Sequence, residues 1–219
     1  MPCVRLREDV FMARADGLVV FLDLGADRYF ALNSAFSARL APVIEAKGEG
    51  ADPETIRRLR RAGAAAEDDA SGASDFSPTP WSPAIEGALP AHAEVAATAS
   101  AAFCRWRAER ELATHHLADI VRARRLAREQ GAAEPPYRTD LMKAASLFVA
   151  ARALRGGRDA CLKEALALLY FLGRGGVRAD WVFAVKGAPF AAHCWVQLGD
   201  VVLNDTVDNV GAYTPIMVV

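Results

Sequence analysis

The chain has 219 residues, with 26 Lys and Arg set against 27 Asp and Glu, a formal net charge of −1 and 53% hydrophobic residues. That length can bury a core as one domain or two small ones, and the charge balance gives no general pull toward nucleic acid or an anionic membrane. The start, Met1 to Asp9, meets charges before any apolar run, and no stretch is long and apolar enough to cross a bilayer. Four cysteines with no Cys-x-x-Cys pair are expected as reduced thiols, so the expected compartment is the cytoplasm.

The first third reads as a small module of strands and helices. Val10–Arg14 and Leu18–Asp23 are apolar runs joined by Ala15-Asp16-Gly17, where Asp-Gly tolerates the positive φ of a tight hairpin turn. A turn at Leu24 to Asp27 leads to a third run, Arg28-Tyr29-Phe30-Ala31-Leu32. Asn33 or Ser34 then caps a helix with Phe36, Leu40, Val43 and Ile44 on one face. Gly48 and Gly50 end it, and Asp52-Pro53-Glu54 opens a second helix through Ile56 and Leu59 to about Gly63. The acidic, Ser-rich and Pro-rich stretch that follows predicts a linker. The boundaries are 1–66 for the module, 67–91 for the linker and 92–219 for a second domain.

Residues 93–130 carry a long helical pattern, broken once and rich in arginine. Interleaved Glu109, Glu111, Asp119 and Glu129 make it a solvated helix rather than a nucleic-acid surface, with Phe103, Trp106, Leu112, Leu117, Ile120, Val121 and Leu126 as its core face. Pro135-Pro136 breaks the chain before a helix from Leu141 to Leu154. Gly156 to Cys161 is a turn feeding an apolar helix, Leu162 to Leu172, stopped by Gly173 to Gly176. Four strand-like runs close the chain: Asp180–Lys186, Phe190–Leu198, Val201–Asp205 and Tyr213–Val218. Short Gly-bearing turns make the first three an antiparallel meander, so the fold class is α+β.

Chemistry is concentrated in this last region. A thiol is a useful nucleophile only as thiolate, and a helix N-terminus favours that charge. Cys161 stands at such a start, His193 is the histidine of the C-terminal strands, and a carboxylate or amide is needed to orient its ring. A three-residue loop at Leu198-Gly199-Asp200 would set His193 opposite Asp205. A two-residue loop at Gly199-Asp200 would set Asp205 beside Cys194 and leave Asn204 as the reserve orienter. Periodicity alone does not choose between them. Taken singly, Cys161 and His193 would each read as structural; together, with an acid twelve residues past the histidine, they read as a catalytic set. Cys194 is expected on the opposite face from His193, packed in the core, and Cys104 on a helix core face. His115 and His116 are adjacent and offer too few ligands for a metal, so no metal site is expected. Gly173-Arg174-Gly175-Gly176 follows a helix and lacks the Lys-Ser/Thr of a phosphate loop, so no cofactor site is evident.

Three segments carry a resemblance: Asp159-Ala160-Cys161-Leu162, Pro189 to Val196 around His193, and Val202-Leu203-Asn204-Asp205. In this order, with the closing Tyr213-Thr214-Pro215-Ile216, they resemble the transglutaminase-like cysteine peptidase of lasso-peptide biosynthesis, across roughly residues 95–219. The resemblance implies Cys161, His193 and Asp205 as catalytic triad on a transglutaminase/papain-like domain. Where that family usually has Ala after the histidine this chain has Cys194, a change expected to leave catalysis untouched. The segment Asp27 to Asn33 resembles the leader-peptide recognition element, a small winged-helix-like module, here with its helical part shortened. That likeness implies that Arg28, Tyr29, Phe30, Ala31 and Leu32 take the leader as an added strand. The implied activity is cleavage of a lasso precursor between leader and core, freeing a core amine for a separate asparagine-synthetase-like cyclase. ATP dependence is a further implication of the family. Competing readings are a transamidase using the same triad, a non-catalytic peptide-binding scaffold and a DNA-binding winged helix. The last is opposed by the charge balance and by the lack of a basic helix in residues 34–50.

Overall fold

In the computed structural model the residues described are 3–66, 85–86, 95–129, 145, 148 and 161–219. The chain divides into two compact units: Met1–Pro80 with Ala184–Ala192 and Thr214–Met217, and Trp81–Phe183 with His193–Tyr213 and Val218–Val219.

In the first unit, strands β1 (Val10–Ala15), β2 (Leu18–Asp23) and β3 (Arg28–Ala31) form an antiparallel sheet in that order, with Met12 opposite Phe21 and Phe21 opposite Phe30. Asp16 and Gly17 both take positive φ, 49° and 78°, as a two-residue hairpin turn of the expected kind requires. Asn33 caps α1 (Ser34–Glu45), its Oδ1 accepting from the Phe36 N–H at 2.9 Å. Asp52 does the same for α2 (Pro53–Ala62), accepting from the N–H groups of Glu54 and Thr55, and Gly63 ends that helix at φ 79°. Helix α1 lays Phe36, Leu40, Val43 and Ile44 over one sheet face, where Val10, Met12, Val19 and Phe21 are buried with them, and Leu59 of α2 joins this core. Ala13, Val20 and Leu22 on the opposite face are also buried. The same unit contains the turn Gly187–Phe190: the Asp16 carboxylate accepts from the N–H groups of Gly187 (2.8 Å) and Ala188 (3.2 Å), and Phe190 lies against Tyr29 with ring centroids 5.9 Å apart. A Cβ on Gly187 would stand 2.5 Å from the Ala15 carbonyl oxygen, so only glycine fits there.

The stretch read as linker contains a short strand, β4 (Ile85–Glu86), which pairs in parallel with β7 (Val201–Val202). Helices α3 (Val95–Thr114) and α4 (Leu117–Glu129) are the long helical pattern, broken at the adjacent His115 and His116. Helix α3 packs against α5 (Cys161–Arg174). Its buried stripe is Ala101, Cys104 and Ala108, whose small side chains allow close approach. Phe103, Trp106 and Leu126, expected on the core face, are instead about half exposed; Arg110 covers Trp106 and Arg174 reaches toward Phe103. The three- and four-residue spacing of a buried helix face belongs to the small residues, and the aromatics flank them.

Helix α5 buries Glu164 to Leu169 and Leu172. The Glu164 carboxylate receives two bonds from Arg105 Nε (3.0 and 3.1 Å), while Arg105 also donates to the Phe148 carbonyl. Beyond α5 come β5 (Asp180–Lys186), β6 (Ala191–Leu198), β7, α6 (Val207–Gly211) and β8 (Thr214–Val218), with sheet order β4-β7-β6-β5-β8. The expected meander is therefore present as β5-β6-β7. The expected strands Val201–Asp205 and Tyr213–Val218 are shorter, and helix α6 lies between them. The expected helix Leu141–Leu154 and the turn Gly156 to Ala160 lie outside the described residues, apart from Ala145 and Phe148, both helical and buried.

Candidate active site

Strand β6 places His193, Trp195 and Gln197 on one face and Cys194 and Val196 on the other, by the two-residue period of a strand. Trp195 is fully buried, and its Nε1 donates to Gln197 Oε1 at 3.0 Å, while Gln197 Nε2 donates to the Gly199 carbonyl at 2.7 Å. These bonds leave His193 on a stiff support near the start of the strand.

The hairpin after β6 has the two-residue loop. Leu198 pairs with Val201 and Gln197 with Val202, and Gly199 takes φ 57°. Continued, that register would carry Asp205 to Cys194 and leave His193 without it. The ladder stops short of this point. Leu203 N–H still donates to the Val196 carbonyl (2.9 Å), but the Val196 N–H goes to Asn204 Oδ1 (2.7 Å) instead of a strand carbonyl. The backbone bends over Leu203 to Asp205, and the Asp205 carboxylate swings back onto His193 Nε2. Asn204, the reserve orienter, thus ends the ladder, and Asp205 meets the histidine.

Around Asp205 the first turn of α6 supplies more donors. Thr206 N–H donates to Oδ1 at 2.7 Å, and Asn209 Nδ2 lies 3.0 Å from both carboxylate oxygens. Thr206 caps α6 through its Oγ1, which accepts from the Asn209 N–H. Burial would raise the Asp205 pKa, but His193, Thr206 and Asn209 together hold it below the usual range. Asn209 was not singled out from the sequence; a signal was available in Asp205-Thr206-x-x-Asn209, a capping residue with an amide three positions on. The Tyr213 ring packs 5.2 Å from the imidazole.

Cys161 opens α5 and is partly exposed. With Nε2 of His193 committed to Asp205, the other ring nitrogen is the one left for Cys161, whose pKa His193 helps to lower. The Cys161 pKa falls to about 4, chiefly because the Cys194 thiol and then His193 donate to its sulfur, with the Cys194 N–H adding to them. For His193, burial works against the charged ring, yet bonds to Asp205 and Cys161 and the charges of both outweigh it and raise its pKa to about 9. Between those values the pair is thiolate and imidazolium. Cys194 is buried as expected, 3% exposed, and it also lowers the Cys161 pKa. Its own pKa is pushed well up by the Cys161 thiolate it donates to and by burial.

Of the residues expected to bind a leader, Phe30 stacks on Phe21 (5.1 Å between centroids) and Leu32 packs against the core of the first unit. Arg28 pairs with the buried Asp23, which Arg7 also approaches, and lies over the Phe30 ring. Tyr29 packs on Phe190, and Ala31 is exposed. Strand β3 is an edge strand of its sheet. No helix among the described residues is long and apolar enough to cross a membrane.

Residues 102–218 match the Transglutaminase-like superfamily, more than half of the chain, and the chain belongs to that superfamily. Comparison with curated proteins and with solved structures gave no match.

Proposed function

We propose that this member of the transglutaminase-like superfamily is a cysteine endopeptidase that removes the leader from a lasso-peptide precursor, with Cys161 as nucleophile, His193 as acid and base, and Asp205 as orienter. What supports the chemistry is the contact of Asp205 with His193 together with the lowered Cys161 and raised His193 pKa values, which favour carboxylate, imidazolium and thiolate near neutral pH. The superfamily includes both cysteine peptidases and transglutaminases, so acyl transfer from a thiol fits the fold; the leader substrate is the finer part of the reading. It is supported by the sequence resemblance and by a separate three-stranded sheet whose edge strand β3 is where an extended peptide would add.

In the proposed reaction the Cys161 thiolate attacks the carbonyl carbon at the leader–core junction. N–H groups at the start of α5 stabilise the oxyanion. The His193 imidazolium gives its proton to the departing amine of the core, leaving the leader as a thioester on Cys161. His193, now neutral, takes a proton from water as that water attacks the thioester, and the leader leaves as a carboxylic acid. Asp205, held by Thr206 and Asn209, keeps the ring in place through both steps. Holding the leader on the first unit would raise the local concentration of the scissile bond. The freed core amine is what a cyclase needs for macrolactam formation.

The test is mass spectrometry of a lasso-type precursor incubated with the protein and with Cys161→Ala. Cleavage at one bond by the wild type alone supports the reading. An intact precursor that still binds, with cyclase and ATP present, would turn the assignment to a peptide-binding scaffold, and transfer of the acyl group to an added amine would turn it to a transamidase.

A further inference from the structure

At the Arg28 end of the edge strand β3, two guanidiniums share one buried carboxylate. Arg7 Nη1 stands 3.5 Å and Arg28 Nη2 3.7 Å from Asp23 Oδ2, and the Asp23 side chain is 2% exposed. Asp23 Oδ1 accepts from the Ala26 N–H at 3.1 Å, which fixes the carboxylate. The carbonyls that end α2 hold the same two groups: Arg7 Nη1 donates to Gly63 at 3.0 Å and Arg28 Nη2 to Ala62 at 3.4 Å. Both nitrogens would lie 3.4 Å from a Cβ on Gly63, so the two charges converge on one point at the C-terminus of that helix. Arg28 also lies over the Phe30 ring, 5.0 Å from its centroid.

Charge is left over in this cluster. Two cations against one anion leave a net positive charge, and among the described residues Glu8 and Asp27, the exposed chain neighbours, form an ion pair with neither arginine. Arg7 makes its described polar contacts through Nη1 alone and Arg28 through Nη2 alone, and the side chains remain 46% and 52% exposed. A guanidinium carries five N–H donors in a rigid fork, so each arginine has donors to offer a second anion. Helix α2 adds the exposed Arg57, Arg58 and Arg61 to the positive charge of this unit.

We propose that Arg7 and Arg28 form a receptor for a carboxylate side chain of a peptide added along β3, so that the segment recognised there is acidic at that position. This assignment rests on the leader reading of β3 given above and gives the leader a chemistry. In a strand ladder, directly opposed residues stand about 4.5–5.5 Å apart between Cβ atoms, and every second residue shares a face. Arg28 and Phe30 lie on one face of β3, where guanidinium and ring meet. A peptide residue opposite Arg28 is therefore within reach of its fork, and the residue two places along faces Phe30. The recognised pattern is an Asp or Glu two positions from an apolar residue. A second carboxylate balances the two guanidiniums, and a charged acceptor binds such a fork more strongly than a neutral amide does. Asp23 and the helix carbonyls already hold both arginines in place, so little side-chain freedom is lost when the peptide arrives.

The test uses the full-length chain carrying Cys161→Ala, so that bound peptides stay whole, as bait for a displayed library of random short peptides. Enriched peptides are expected to carry Asp or Glu two positions from an apolar residue. The tightest of them, labelled with fluorescein, should lose about tenfold or more in affinity by anisotropy when Arg28→Gln or Arg7→Gln is made, or when its acid is changed to the amide. Combining the protein and peptide changes should add little to either alone. The peptide change leaves the protein untouched, so it decides the matter even where an arginine variant fails to fold. Enriched peptides without an acid, an acid whose amide binds equally well, or no enrichment at all would overturn the proposal. So would a labelled DNA duplex that binds through the same arginines while no acidic peptide does. Cleavage of a precursor by the wild type is read separately: acid-free binders with cleavage intact sink this inference alone, whereas acidic binders without cleavage sink the peptidase.

Discussion

Replacing Asp205 by Asn should move one edge of the active-site titration and leave the other in place. In the native protein Cys161 loses its proton at about 4 and His193 at about 9. Raising an imidazole from 6.5 to about 9 corresponds to about 3 kcal/mol of preference for the charged ring. Asp205 and the Cys161 thiolate supply that preference together, against the cost of burial. If they share it roughly equally, Asp205→Asn removes about 1.5 kcal/mol and brings the imidazole midpoint down by about one pH unit. The thiolate edge should stay near its native value, because His193 remains protonated throughout the range in which Cys161 titrates. Two measurements read the two edges: the rate of Cys161 alkylation by iodoacetamide against pH, and the ring-proton chemical shift of His193 against pH, assigned with His193→Gln. Leader cleavage should fall by about 10²- to 10⁴-fold, as for other orienting carboxylates. A wild-type Cys161 that alkylates with an ordinary midpoint of about 8.5, or a variant in which neither edge moves, would refute the ion-pair account.

Asn209→Ala should lower kcat for leader cleavage by about tenfold with KM little changed, since it removes hydrogen bonds to a carboxylate that acts through His193, each worth about 1.5–3 kcal/mol in favourable cases. Glu164→Ala should destabilise the protein by about 3–5 kcal/mol in urea unfolding by stranding Arg105, whereas the double change Arg105→Met with Glu164→Leu should recover most of that loss. Stability should also depend on pH through the site. Cys161, lowered on folding, adds stability that is lost as pH falls toward about 4; His193, raised on folding, adds stability that is lost between 6.5 and about 9. The two trends cancel above about 6.5, so stability should fall only below it, by up to about 1.4 kcal/mol per pH unit. Urea midpoints at about pH 5 and about pH 7 check this, and Cys161→Ala should abolish the site's share of the slope.

Much of the first unit was legible because its signals are local. Asp16-Gly17 demands a particular turn, Asn33 and Asp52 cap helices through their own side chains, and Gly63 stops one by taking a left-handed φ. Each needs only residues within a few positions. Non-local choices were harder. Phe103 and Trp106 look like core by hydrophobicity, but α5 presents a face that accepts Ala101, Cys104 and Ala108, and no count of apolar residues on α3 alone could reveal that preference. Ile85–Glu86 is too short to carry a strand period, and its pairing partner lies more than a hundred residues on.

The contact of His193 with Asp205 shows how a pairing can be reached by an incomplete rule. Strand register was the means of choosing between Asp205 and Asn204, and the observed two-residue loop is the one that favours Asn204. The rule assumed that β7 continues. It ends because the Asn204 side chain takes the Val196 N–H that a continuing strand would have taken, and the bend that results delivers Asp205 to His193. Asn204 and Asp205 are therefore parts of one device, one breaking the ladder and the other using the break. Alternation held at Cys194, which lies opposite His193 on β6 and is buried, yet it says nothing of the part Cys194 takes with His193 in lowering the Cys161 pKa. A period of two describes which way side chains leave a strand; it does not describe what a helix terminus can touch when it arrives there.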